Sequence, residues 1–196
     1  MNKFKTILLS GGQSQRMGKH KALLMFNKST TFIQEIIQSY EKAGFTDVIV
    51  VLNNENKDAI LNSINYPNIA YVINNNINAQ RLDSIKLALK SDSACDGYFI
   101  QDIDHPFINT ELLKAMNQEL KPFSWVSPIF NKQAGHPVLI SNEIAEFINN
   151  KDVTSTTLKK VLKDFKEIQI NTNNADILVN INEPSDYARY FKNINF

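Results

Sequence analysis

The chain has 196 residues, 43% of them hydrophobic, with a formal net charge of +1 and a single cysteine. That length supplies one domain with a substantial core, and the near-neutral balance provides no bulk basic field for binding nucleic acid. Cys95, standing alone, excludes an internal disulfide and a cysteine-based zinc site, and reads as a small buried apolar residue.

In chain order, Phe4–Ser10 reads as a strand. Its apolar run Ile7-Leu8-Leu9 is far too short for a signal peptide or a membrane span, so a soluble cytoplasmic protein is expected. After a glycine-rich loop, Thr30 and Thr31 precede a helical pattern (Phe32, Ile33, Ile36, Ile37, Tyr40) that stops at Ala43-Gly44. Asp47–Leu52 is a continuous β-branched run, as in a strand covered on both faces. A short helix near Lys57–Ser63 leads to a strand at Ile69–Ile73, and Ala79–Lys90 places Leu82, Ile85 and Leu89 on one helical face. Gly97–Gln101 is the next strand, with Asn109 or Thr110 capping a helix through Leu120. Such a βαβ succession predicts a parallel sheet with right-handed crossovers. Beyond Pro122 the rhythm changes: strands are expected at Phe123–Ile129, Gly135–Ser141, Phe165–Ile170 and Ile177–Ile181. Helices are expected at Asn142–Asn149, at Thr156–Asp164 and from Pro184 onward. A mixed sheet with a small inserted lobe over an acceptor site fits this pattern.

The loop after the first strand, Leu9-Ser10-Gly11-Gly12-Gln13-Ser14-Gln15-Arg16-Met17-Gly18-Lys19-His20-Lys21, is the most informative stretch. Glycines let backbone N–H groups approach a ligand, and Arg16, Lys19 and Lys21 add positive charge with no acidic residue before Glu35. That combination suits a polyphosphate. It is not a P-loop, because Gly12 and Gly18 enclose five residues and Gly18-Lys19 is followed by His20. The G-x-G-x-x-G of a dinucleotide fold is also absent, which counts against an NAD-dependent oxidoreductase.

This segment resembles the L-(A/S)-G-G/A-x-S-x-R-M-G-x-x-K motif of the molybdenum-cofactor nucleotidyltransferase-like (MobA/MocA-like NTP transferase) family. The resemblance implies a three-layer α/β fold with a Rossmann-like, mostly parallel sheet, helices on both faces and a small mixed β lobe. It further implies one domain, with residues 1–121 binding nucleotide and 122–196 forming the acceptor side and closing the site. Leu9, Ser10, Gly11, Gly12, Ser14, Gly18 and Lys21 fall on the nucleotide-binding loop. Arg16 and Lys21 fall on the positions that hold the triphosphate.

Ligands in open α/β sheets bind beyond the carboxyl ends of the strands. The strand at Gly97–Gln101 ends in Asp102-Ile103-Asp104-His105-Pro106, which puts carboxylates at the same rim as the glycine loop. Two acids beside a phosphate site suggest a hard divalent cation; helix capping or a turn before Pro106 is the alternative. The family's Asp-x-Pro carries its metal-binding aspartate onto Asp104, with Asp102 a less certain neighbour. Val179-Asn180-Ile181-Asn182-Glu183-Pro184 resembles the family's N-I-N/D-T-P. In a strand, Asn180 and Asn182 would share one side, and their amide oxygens could complete a Mg²⁺ shell; Asn182 suits an Asx turn equally well. Relatives place an aspartate here, so a weaker metal site is also compatible.

Gly135-His136-Pro137-Val138 matches a G-H-P-V segment of the family's cytidylyl side, which implies acceptor positioning by Gly135, His136 and Pro137. Asn78-Ala79-Gln80-Arg81-Leu82-Asp83-Ser84-Ile85 opens a helix whose N-terminus can receive a base or phosphate through Arg81 and Ser84. Relatives usually carry G-M-x-x-S there, and this chain lacks the glycine; Arg81 fits a surface position as well. The activity implied is Mg²⁺-dependent nucleotidyl transfer from an NTP, CTP or GTP, to a small phosphorylated acceptor such as molybdopterin, with release of pyrophosphate. Neither a nucleic acid nor a membrane is an expected partner; a molybdoenzyme or cofactor-insertion protein is. The alternatives are sugar- or alditol-phosphate cytidylyl transfer, and a nucleotide-binding partner protein with weakened catalysis.

Overall fold

The computed structural model describes residues 3–194 except 13, 15, 65, 67, 68, 77, 92–94, 151–155 and 193. Its frame is a single mixed sheet. In chain order the elements are β1 (Phe4–Leu9), α1 (Phe32–Ala43), β2 (Asp47–Asn53), α2 (Lys57–Ser63), β3 (Ile69–Asn74), α3 (Arg81–Lys90) and β4 (Gly97–Asp102). There follow α4 (Thr110–Glu119), β5 (Ser124–Phe130), β6 (Gln133–Ala134), β7 (Val138–Ser141), α5 (Asn142–Asn150), α6 (Leu158–Leu162), β8 (Lys166–Asn171) and α7 (Pro184–Tyr190).

The strand order is β3-β2-β1-β4-β7-β5-β6, with β8 also paired to β5. β3, β2, β1 and β4 run parallel; β7 is antiparallel to β4 and to β5, and β5–β8 is parallel again. The nearly unbroken apolar runs of β1 and β2 follow from this position, since each has parallel neighbours on both edges and helices over both faces. Alternation divides them: Phe4, Leu8, Val48, Val50 and Leu52 pack with α1 and α4 residues such as Phe32, Ile36 and Leu113. Ile7, Leu9, Ile49 and Val51 pack on the other face with Leu82, Ile85 and Leu89 of α3 and Ile144 and Ile148 of α5. Helix α1 ends where Gly44 takes φ 94°, the left-handed cap expected from Ala43-Gly44.

Two expectations need correction. Ile177–Ile181 is not a strand: Ala175–Leu178 forms a 3₁₀ turn, followed by an extended stretch outside the sheet. Gly135–Ser141 is not continuous either. The stretch Gly135-His136-Pro137, with a cis His136–Pro137 bond, separates β6 from β7. There Gly135 donates to Pro128 O and His136 N donates to Ile177 O, so the chain leaves the ladder to hold the 3₁₀ turn. The mixed β part, β5 to β8, continues the same sheet.

Candidate active site

The carboxyl ends of β1, β2, β3 and β4 open onto one cavity of about 810 Å³, lined there by Leu9, Asn53, Asn74 and Asp102. The glycine loop forms one wall, and its backbone is pinned from β2 and the turn that follows. Asn53 Nδ2 donates to Gly11 O at 2.8 Å, and buried Asn56 donates through Nδ2 to Ser10 O at 2.5 Å. Further along, Met17 is 1% exposed and anchors the loop in the core, while its neighbour Arg16 is exposed and lines the cavity. Gly18 has φ 71°, a conformation that favours glycine. The Arg-Met-Gly triplet thus combines a cavity cation, a core anchor and a left-handed turn.

Lys21 reaches the floor. Its Nζ donates to Asn182 Oδ1 at 2.6 Å and lies 3.4 Å from Asp104 Oδ2, with the Lys21 side chain only 12% exposed. Its own backbone N donates to Ser14 Oγ at 3.3 Å. The C-terminal stretch is registered against Asp104 by the backbone, since Ile181 N donates to Asp104 O at 2.8 Å. A cation from the first loop, a carboxylate from the end of β4 and an amide from before α7 therefore meet, although Lys21 and Asn182 are 161 residues apart.

On the opposite wall Arg81, the first residue of α3, forms a two-pronged contact with Asp102: Nε to Oδ1 and Nη2 to Oδ2, each 2.8 Å. Burial alone would push the Asp102 carboxyl up, but the Arg81 hydrogen bonds and charge, aided by His136 and His105, hold it below the usual carboxylate range. His136 Nδ1 is 3.5 Å from Asp102 Oδ2, and its ring stacks on His105 at 3.9 Å and 19°. Burial, then the proximity of His105, lowers the His136 pKa to about 4 against the attraction of Asp102, so this imidazole is neutral at pH 7. Beneath both walls, fully buried Gln101 accepts from the Tyr40 hydroxyl at 3.1 Å and donates to Asp102 O and His105 O at 2.8 and 2.9 Å.

The cavity therefore gathers Leu9, Gly11, Gly12, Ser14, Arg16 and Lys21 from the first loop, together with Arg81, Ser84, Asp104 and Asn182. Ser10 is buried beneath the loop, and Gly18 is exposed outside the lining. Asn180 is exposed and does not line the cavity, nor do Gly135, His136 and Pro137; His136 contacts the site through Asp102. Sequence reasoning missed Asn53, Asn56, Asn74 and Gln101. For Asn53 and Asn56 a signal existed, because an Asn-Asn-x-Asn run follows directly on a strand. Asn74, whose Nδ2 donates to Ser84 Oγ at 3.1 Å, also sits at a strand end.

The fold is shared with solved structures of low sequence identity. The Rv0371c protein of Mycobacterium tuberculosis superposes with a TM-score of 0.84 at 18% identity, covering 98% of this chain and 100% of that one. A second structure of that protein is a manganese complex (TM-score 0.78, 17% identity, 98% and 100% covered). Molybdopterin-guanine dinucleotide biosynthesis protein A of Archaeoglobus fulgidus gives 0.70 at 18% identity, with 96% and 97% covered. The 4-diphosphocytidyl-2C-methyl-D-erythritol synthase of Anaerococcus prevotii gives 0.74 at 14%, with 96% of each chain covered. The family model for the MobA-like NTP transferase domain matches residues 6–178. The chain belongs to the MobA-like NTP transferase family, and its fold and activity class are those of a nucleotidyltransferase.

Proposed function

We propose that this protein transfers a nucleoside monophosphate from CTP or GTP to a small phosphorylated acceptor, of which molybdopterin is the leading candidate, in a Mg²⁺-dependent reaction that releases pyrophosphate. One observation carries this reading: Lys21 Nζ stands between Asp104 and Asn182 at the floor of the cavity that Arg16 and the glycine loop also line. Phosphoryl transition states spread negative charge over oxygens, so positioning and positive charge are what such a site must supply. Arg16 and Lys21 bind the triphosphate and offset the charge of departing pyrophosphate. Arg81 and Ser84 at the start of α3 contact the nucleotide from the opposite wall.

The glycines support the same reading. A Cβ on Gly11 would meet the Leu52 backbone at an ordinary 3.6 Å, and one on Gly12 would meet nothing within 4 Å. Packing among the described residues thus does not demand glycine at either position, whereas close approach of phosphate to the backbone does. For the metal, Asp104 and Asn182 each place an oxygen on Lys21 Nζ, and such an all-oxygen pair fits Mg²⁺ once the lysine turns to the triphosphate. These two residues would hold the ion, which when bound neutralises charge on phosphate oxygens. Residues 1–121 serve the nucleotide and 122–196 the acceptor, with Gly135, His136 and Pro137 orienting it through the wall at Asp102. Among the described residues no helix is long and apolar enough to cross a membrane.

The test has two parts. Thermal stabilisation by CTP, GTP, ATP and UTP, with and without Mg²⁺, is expected to single out one base and to vanish in Lys21→Ala. Pyrophosphate release with molybdopterin and with sugar or alditol phosphates then names the acceptor. Folded Lys21→Ala and Asp104→Ala should each lose on the order of 100-fold or more in rate. Wild-type turnover in both would sink the proposal.

A further inference from the structure

Beside the cavity wall, Asp102, His105 and His136 bring one carboxylate oxygen and two imidazole nitrogens within 4.8 Å of one another. β4 ends at Asp102, His105 follows in the next turn, and His136 arrives from the break between β6 and β7. Their meeting therefore depends on the fold and not on proximity in sequence. All three are half-buried.

The proton positions are set by neighbours. His105 Nδ1 lies 2.7 Å from Val179 O. A carbonyl oxygen only accepts, so Nδ1 carries the hydrogen and Nε2 presents a lone pair. That carbonyl-held imidazole is the support usually found behind a metal-ligating histidine, because it fixes both tautomer and ring plane. His136 Nδ1 is a buried nitrogen with no hydrogen-bond partner among the described residues, 3.5 Å from Asp102 Oδ2. Buried polar atoms are rarely left so, and such an orphan calls for a ligand. Asp102 retains capacity: an ionised carboxylate offers about four lone-pair sites, and Arg81 takes one on each oxygen.

We propose that Asp102, His105 and His136 form a binding site for a borderline transition-metal dication of the zinc and cobalt class, adjoining the all-oxygen pair Asp104 and Asn182, since Asp104 Oδ1 lies 3.9 Å from His105 Nε2. Two imidazole nitrogens and one carboxylate favour such ions over magnesium, which prefers oxygen. Three protein ligands leave a coordination position open. Bonds of about 2.0–2.2 Å require the three side chains to draw inward from their present spacing by small rotations. Asp102 is the hinge between the site and the cavity, so an ion there competes with Arg81 for the same carboxylate.

The test is equilibrium dialysis of the intact protein against Zn²⁺ or Co²⁺, without nucleotide and with excess Mg²⁺ to occupy the oxygen pair. Saturable binding is expected, with cobalt giving visible ligand-field absorption. His105→Asn keeps a nitrogen donor for Val179 O but removes the lone pair, and His136→Ala removes the second nitrogen. Each should weaken binding by at least about 100-fold, the upper range even for residues that merely support a ligand. Circular dichroism establishes that each variant is folded, and His105→Asn carries the test if His136→Ala does not fold. Equal zinc affinity in wild type and in the folded histidine variants overturns the proposal, as does displacement of cobalt by magnesium. Nucleotide-induced thermal shifts on the same samples report separately on the transferase reading.

Discussion

Replacing Gln101 by leucine tests whether the active-site turn is suspended from the core. The side chain is fully buried and makes three hydrogen bonds: one from Tyr40 OH, and one each to Asp102 O and His105 O. Leucine has a similar volume, so the change creates little cavity and isolates the polar term. Asp102 O keeps a partner, because His105 N also donates to it at 3.2 Å. Two groups are left orphaned, His105 O and the fully buried Tyr40 hydroxyl. At about 1–3 kcal/mol for each unsatisfied group, Gln101→Leu should cost about 2–6 kcal/mol. In urea unfolding, with a slope of roughly 2–3 kcal/mol/M, the midpoint should fall by about 1–2 M at the centre of that range while the slope holds. Tyr40→Phe supplies the control. Alone it takes the donor from buried Gln101 Oε1 and should cost about 1–3 kcal/mol, but combined with Gln101→Leu it removes an orphan and should restore stability. If Tyr40→Phe costs the same with and without Gln101→Leu, the hydrogen bonds are not the source and the reasoning fails.

Three further outcomes follow from the geometry. His136 has a folded pKa of about 4 against an ordinary 6.5, so the unfolded chain binds more protons between those values. Its contribution, up to about 3 kcal/mol, is complete above pH 6.5 and lost as pH falls towards 4; Asp102, Arg81 and His105 are the groups that face it. Unfolding free energies measured with EDTA should fall less over this window in His136→Gln, and parallel profiles would discount the effect. Gly135→Ala would place a Cβ 2.5 Å from Ile177 O, so thermal melts should report a loss of about 1–3 kcal/mol as β6 and the 3₁₀ turn are pushed apart. Unchanged melting would mean the turn yields freely. Asn56→Ala removes the bonds to Ser10 O and from Asn53 N. It should cost about 1–3 kcal/mol and shrink the nucleotide-induced thermal shift, and a full shift would show that the loop holds its shape without this support.

Much of the molecule was legible because period and punctuation agreed. The runs at Phe4–Leu9 and Asp47–Asn53 read as covered strands, and the Ala43-Gly44 stop marked the end of α1 within its real cap. Ile177, Val179 and Ile181 misled for a physical reason. They are all buried at alternate positions, as in a strand, but the stretch meets the rest of the chain through single bonds such as Ile181 N to Asp104 O and no ladder. Alternation reports burial; it does not report a pairing partner. The expected orientation of Asn180 failed with that strand, whereas Asn182 reaches Lys21 because the extended segment delivers it there. The loop cations and the Asp104 turn were visible as local motifs. The Arg81–Asp102 fork and the His105–His136 stack were not, since they depend on which strand ends become neighbours. Asn53 and Asn56 act as loop anchors, donating to Gly11 O and Ser10 O, a role visible only once β2 and the glycine loop are neighbours.

The late arrival of Asn182 has a bearing on biosynthesis. Val179 O, Ile181 N and Asn182 Oδ1 brace His105, Asp104 and Lys21 in turn, and Tyr187 OH fastens the same stretch to Met25 O at 2.7 Å. A nascent chain that has released only the β1–β4 unit owns the glycine loop but lacks the amide opposite its lysine. Domains fold as they emerge at about 5–20 residues per second, so for several seconds the ribosome presents a half-built pocket. Completion of the pocket is thereby tied to translation of the stretch around Asn182, and products truncated before it carry an unfinished one.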